Sequence, residues 1–183
     1  MVVVSDTSVL IDLERGSLLT ASFRLRCGFA VPDLLYEREL KPFGGADLRK
    51  RGLRVEALDG SRVALALGYR RSHAGVSLPD TFALALAKSN AWMLLTGDAE
   101  LRQLAEHELV DCHGILWVLD RLFEENVATE HTLHAGLQAI SSHPRCRLPQ
   151  IEVQRRLTAW KNRSGTTSGA LSCVSRETRT RRT

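Results

Sequence analysis

Three consecutive valines, Val2 to Val4, carry no alternation of polar positions, which is the pattern of a short strand covered on both faces and predicts the central strand of a sheet. Helical spacing follows at once. Asp6, Thr7 and Ser8 can cap a helix whose apolar face is Val9, Leu10, Ile11 and Leu13, ending near Gly16. Residues 17–23 resume as a short helix, 29–31 form the next strand, and Pro32 suits the first turn of a helix carrying Leu34, Leu35, Glu37, Glu39 and Leu40. Pro42 with Gly44 and Gly45 breaks that helix. A short helix is expected over 46–51, and 53–58 alternates apolar with polar residues, as a strand at a sheet edge does. Helices over 62–71 and 81–88, a buried strand over 92–96, a helix over 99–107 and a last short strand over 109–112 come next. Three amphipathic helices, 114–125, 130–142 and 149–161, complete the pattern. Strands alternating with helices predict an α/β fold, a three-layer α/β/α sandwich on a mostly parallel sheet with extra carboxyl-terminal helices.

A length of 183 residues allows one domain of ordinary size and a tail, set here at 1–161 and 162–183. From about Ser164 the composition turns to Ser, Thr, Gly and Arg, and that basic tail is expected to be disordered. The formal charge of +4 favours a polyanionic partner only weakly, because the basic excess lies after Arg145. Cys27, Cys112, Cys146 and Cys173 form no C-x-x-C pair, which argues against a zinc ribbon and a disulfide framework. The opening Met-Val-Val-Val-Ser-Asp is too short and uncharged for a signal peptide or a membrane span, so a cytoplasmic protein with no membrane partner is expected.

The chemistry is carried by acids in the order Asp6, Glu37 or Glu39, Asp80, Asp98. Each aspartate has an ordinary explanation as a helix cap or first-turn acid. Their coincidence argues for more. If the strands are parallel, all three aspartates converge at the carboxyl edge of the sheet, where open α/β sheets bind ligands, and the glutamate helix reaches the same crevice. Between the glutamates, Glu37 is favoured because it follows the Pro32 turn closely. Such a cluster resists ionising together unless a hard divalent cation, Mg²⁺ or Mn²⁺, takes the oxygens. Metal-dependent phosphodiester cleavage is the expected reaction.

Competing chemistries lack their motifs. There is no G-x-G-x-x-G, no G-x-x-x-x-G-K-[ST] and no G-x-S-x-G, so dinucleotide, P-loop and nucleophile-elbow readings have no support. A phosphotransferase with Asp6 as covalent nucleophile would need D-x-D, and Ser8 stands in the second position. His131 and His134 share a helix face without the H-E-x-x-H glutamate and are expected at the surface. Lys88 and Arg102 are candidate phosphate contacts, each with a plain alternative as a solvated helix charge.

Ser5-Asp6-Thr7-Ser8-Val9-Leu10-Ile11, the stretch 31–40, Leu78-Pro79-Asp80-Thr81-Phe82 and Leu94-Leu95-Thr96-Gly97-Asp98, in this order and spacing, resemble a PIN domain over about residues 2–122. The resemblance implies an acidic pocket that binds Mg²⁺ or Mn²⁺ and cleaves RNA. It assigns the metal to Asp6, Asp80 and Asp98, adds Glu37 as the helix glutamate, and places Thr7 and Thr96 beside the acids as hydrogen-bond donors. Many such proteins are VapC-like toxins neutralised by a small antitoxin protein, so an antitoxin and a homodimer join RNA among the expected partners. The longer carboxyl-terminal helical region departs from the compact toxins. A PIN-like binding module that has lost catalysis is the alternative.

Overall fold

The computed structural model describes residues 1–167. Five strands, β1 (Val2–Ser5), β2 (Gly28–Pro32), β3 (Arg54–Glu56), β4 (Met93–Leu95) and β5 (Cys112–His113), form one sheet in the order β3-β2-β1-β4-β5. Every pairing is parallel, and Val3 stands opposite both Phe29 and Met93. β1 is thus central, as its unbroken apolar run requires, with Val3 and Val4 fully buried. The chain winds outward from β1 to β3 and then returns to lay β4 on the other side of β1. The order therefore reverses at β1 and β4, the switch point at which α/β sheets open a crevice.

The connecting helices are α1 (Thr7–Arg15), α2 (Leu19–Ser22), α3 (Asp33–Leu35), α4 (Gly45–Lys50), α5 (Gly60–Ser72), α6 (Leu78–Asn90) and α7 (Ala99–His107). A π-helical turn, Tyr36–Leu40, extends α3. α6 is the buried helix of its layer: Thr81 to Ala87 are all buried, and its alanines let it lie close on β1, β2 and β4. Fully buried Leu84 stabilises this packing by about 1.5–3 kcal/mol.

Three further helices, α8 (Ile115–Glu124), α9 (Glu130–Ser141) and α10 (Gln150–Thr167), build the carboxyl-terminal region. α9 packs against α1 through two glycines. A Cβ at Gly136 would meet the Gly16 carbonyl oxygen at 2.9 Å, and one at Gly16 would meet Ile140 Cδ1 at 2.8 Å, so neither position tolerates a side chain without a shift. Arg156 ties α10 to α8 with a two-pronged bond to Asp120, at 2.8 and 2.5 Å.

Three expectations shift in detail. Pro32 closes β2, paired with Glu56, and caps α3 rather than entering its first turn. The last strand is Cys112–His113 and not 109–112, because the chain leaves α7 through a left-handed turn at Leu109 (φ 58°) that turns this residue out, 93% exposed, and Val110 in. Trp92 precedes β4 and lies half-buried under the Arg54 guanidinium, 5.3 Å from its ring centre. Residues 168–183, where most of the expected disordered tail falls, lie outside the described residues, and α10 continues past residue 161 to Thr167.

Candidate active site at the carboxyl edge of the sheet

Asp6 follows β1 directly, and its amide donates to the Leu95 carbonyl of β4 at 2.9 Å, so the strand pairing itself fixes where this residue stands. The residue is 2% exposed. It caps α1 by accepting from the Val9 amide at 2.9 Å, and it also accepts from Ser8 Oγ at 2.8 Å, from Thr96 Oγ1, and from the Gly97 amide at 3.3 Å. Burial pushes its pKa up despite those bonds, each of which opposes the shift. Gly97 has a steric role here: a Cβ would stand 3.0 Å from Ser8 Oγ, so glycine lets the turn after β4 close over the turn after β1.

Thr96 is the joint of the site. Its hydroxyl donates to Asp6 and accepts from the Asp98 amide at 2.9 Å, holding two acids from different strands at one spacing. Asp98 caps α7 with one oxygen, accepting from the Leu101 amide at 2.8 Å. Asp80 enters from α6 in a reciprocal cap: its amide donates to Ser77 Oγ at 3.2 Å, and that hydroxyl donates back to its carboxylate at 2.6 Å. Burial pushes the Asp80 pKa up to about 6 against the Ser77 bond, and the charges of Asp6, Glu39 and Asp98 push the same way. Asp6 and Asp98 are caps, Asp80 is a first-turn acid bonded to its cap, and the three share one electrostatic field.

The glutamate helix presents Glu39 to this group and not Glu37. Thr7 Oγ1 donates to the Glu39 carboxylate, whereas Glu37 is 55% exposed and paired with Lys41 at 2.6 Å. At about 100° per residue, Glu39 falls between buried Leu35 and Tyr36 around the helix axis, while Glu37 falls on the outer side. That angular argument rests on Leu35 and Tyr36 being the buried pair, which the structure supplies.

Thr7 and Thr96 stand beside the acids as expected. Ser8, Ser77 and Gly97 are additions. Ser77 had a signal in the S-x-x-D spacing of a capping box, and Gly97 had none beyond its place before Asp98. Lys88 lies elsewhere, bonded to Glu108 at the opposite end of the sheet. Arg102 remains near, its Nη2 donating to the Thr96 carbonyl at 2.9 Å. Burial pushes the Cys112 thiol up to about 11, so it offers no thiolate at neutral pH.

Asp6, Glu39, Asp80 and Asp98 form no ion pair with a Lys, Arg or His among the described residues. Hard carboxylate oxygens of like charge, one buried and one whose pKa its surroundings push up to about 6, suit Mg²⁺ or Mn²⁺. Among the described residues no group of three or more His, Cys, Asp or Glu is already arranged to hold a metal ion, so side-chain rotation would accompany binding. Among them, too, no helix is long and apolar enough to cross a membrane.

A model of the DUF3368 family, a PIN domain, matches residues 2–162. Among solved structures, a PilT N-terminus domain protein from the hyperthermophilic archaeon Sulfolobus solfataricus P2 is similar at 14% identity and a TM-score of 0.45, covering 66% of this chain and 92% of that one. No curated protein gives a significant match. The match of the family model along almost the whole described chain places the protein in the PIN-domain family, a nuclease-type fold.

Proposed function

We propose that the protein is a metal-dependent ribonuclease whose acidic edge, Asp6, Asp80 and Asp98 with Glu39 in the place first given to Glu37, holds Mg²⁺ or Mn²⁺ and hydrolyses RNA phosphodiester bonds. The observation that carries this reading is the set of four carboxylates at the switch point, none of which forms an ion pair with a Lys, Arg or His among the described residues. A bound divalent ion would lower the pKa of a coordinated water and stabilise charge on the attacking and leaving oxygens. The chain's own parts prepare for this. Thr96 and Ser8 hold Asp6, Thr7 holds Glu39, and Ser77 holds Asp80 at one edge of the sheet, so a divalent ion would need only a rotation of carboxylates already gathered there. The half-buried position of Asp80 keeps its neighbours' charges poorly screened, which makes displacement of a proton by a cation favourable near neutral pH.

Cleavage of a panel of short RNAs with Mn²⁺ and with EDTA tests the proposal. Cutting only with the cation is expected, and cutting in EDTA would refute it. The inactive binding module remains the rival, and Mn²⁺ titration followed by thermal melting separates the two: a relic need not be stabilised by the ion. A small antitoxin and self-association rest on the family resemblance alone, and co-purification from the native host with sizing by light scattering tests both.

A further inference from the structure

Beside the acidic edge stands an arginine without a counter-ion. Arg102, one turn into α7, directs Nη2 to the Thr96 carbonyl at 2.9 Å and Nη1 to the Cys112 carbonyl at 3.2 Å, across the ends of β4 and β5. Among the described residues it forms no salt bridge, whereas Lys41, Lys50, Lys88, Arg121 and Arg156 are each neutralised by a carboxylate. A guanidinium has five N–H donors, so two carbonyls leave donors free in a fixed plane. Its place is built around it: a Cβ at position 114 would meet Nη2 at 3.2 Å, and Gly114 supplies the space.

The residue before that glycine carries the second part. His113 ends β5, and its carbonyl accepts from the Thr96 amide at 2.9 Å, which ties it to the same residue that holds Asp6. Its ring stacks on Trp117, with centroids 5.4 Å apart and planes inclined by 28°. Nε2 lies 3.0 Å from Asp111, which fixes the ring, yet 36% of the side chain is accessible. Trp117 packs its inner part on the core. A fixed pair of flat rings left partly open one residue from a free guanidinium is the combination that takes one nucleotide: stacking for the base, a planar cation for the phosphate.

We propose that Arg102 and the His113–Trp117 stack form a nucleotide subsite for single-stranded RNA, with Arg102 on a backbone phosphate and the rings under an unpaired base. The subsite would hold the strand next to the acids through Thr96, and it rests on reading that edge as the place of cleavage. An unpaired base is required because bases within a duplex are already stacked on each other and do not present their faces.

The test uses the full chain in EDTA, where binding is read without cleavage, and three labelled probes: a single strand of about eight nucleotides, an abasic ribose-phosphate strand of equal length, and a duplex. Fluorescence anisotropy should show the wild type preferring the single strand over the abasic strand by about tenfold, the smaller end of what one stacked base supplies. His113→Ala should bring that ratio towards one with abasic binding unchanged. Arg102→Gln should weaken both strands alike and reduce the slope of log affinity against log salt by about one, and Arg102→Lys should restore the slope. Thermal melts check that each variant is folded. A ratio untouched by His113→Ala, a slope untouched by folded Arg102→Gln, a duplex bound as tightly as the single strand, or no binding to any probe would overturn the subsite. The Mn²⁺ cleavage assay on the same strand is independent: this binding pattern without cleavage would sink the nuclease reading and leave the subsite, and cleavage without the pattern would do the reverse.

Discussion

The two ends of the sheet carry charge in opposite ways. At the amino end, an open cavity of about 700 Å³ is lined by Met1, Val2, Lys88, Trp92, Glu108 and Leu109, among others, and its charges are satisfied internally. Lys88 and the Tyr69 hydroxyl both donate to Glu108, whose pKa is lowered by those two bonds. At the carboxyl end four acids are gathered with no ion pair to a Lys, Arg or His among the described residues, each steadied by a hydroxyl or an amide. A cavity at one end carries paired charge, while the unpaired acids collect at the other, and strand polarity decides which end that is.

The largest effect that would expose this difference is on turnover. Asp6→Asn and Asp98→Asn should each lower Mn²⁺-dependent cleavage by more than about 100-fold, beyond what loss of a supporting residue around a metal costs, with circular dichroism unchanged. Glu108→Gln, at the other end, should leave the rate as it is. Equal losses at both ends would erase the contrast.

Within the carboxyl end, Glu39→Gln should cost about 10–100-fold in rate and Glu37→Gln almost nothing, since only Glu39 is turned to the aspartates. A ranking in the reverse order, measured under the same metal concentration, would return the role to Glu37.

Stability should divide the two ends by sign. The folded pKa of Asp80, about 6, lies above its ordinary value of 3.8, so the ionised carboxylate is disfavoured in the native state. Stability is highest below pH 3.8 for this group and falls as pH rises to about 6, with the full penalty present at neutral pH. Asp80→Asn should raise the melting temperature in EDTA at pH 7 by about 2–4 °C, the shift about 1 kcal/mol gives a domain of this size once solvent screening of a half-buried acid is allowed for. That gain should fade towards pH 4, and Mn²⁺ should stabilise the wild type more than the variant. A variant less stable than wild type in EDTA at pH 7 would make Asp80 a cap and nothing more.

The smallest effect lies at the amino end. Glu108→Ala leaves the Tyr69 hydroxyl and Lys88 without their acceptor and should destabilise by about 1 kcal/mol in urea titrations, with no change in cleavage. A stabilised variant would mean that Glu108 is itself an uncompensated acid.

The layer order and the three aspartates could be read from the sequence because strand periodicity and helix caps are local signals. Val2 to Val4 announce a central strand, and Asp6 and Asp98 announce helix starts. The choice between Glu37 and Glu39 was not legible because it turns on which side of a helix meets the core, and the π-helical turn Tyr36–Leu40 adds a local distortion that no short-range pattern records. The end of α7 was misjudged for a related reason: Leu109 and Val110 look like a strand pair, yet a left-handed turn separates them, one outside and one inside. The Arg102, His113 and Trp117 grouping depends on the ends of β4 and β5 meeting, a long-range event with no sequence signature.

The Thr96 hydroxyl joins residues 90 positions apart, and this makes the acidic edge a seam between two halves of the chain. One half, β1 to β3, is complete before α5; the other, β4 and β5, arrives after α6 has crossed the sheet. No nascent chain shorter than about 98 residues can assemble the seam, and any excursion that parts β1 from β4 dissolves it, whereas peeling of α9 from α1, with α10 on its outer side, need not part β1 from β4. The acidic edge is thus completed late in synthesis and lost early in any opening of the sheet's centre, so its integrity reports the docking of the two halves and not the presence of either one.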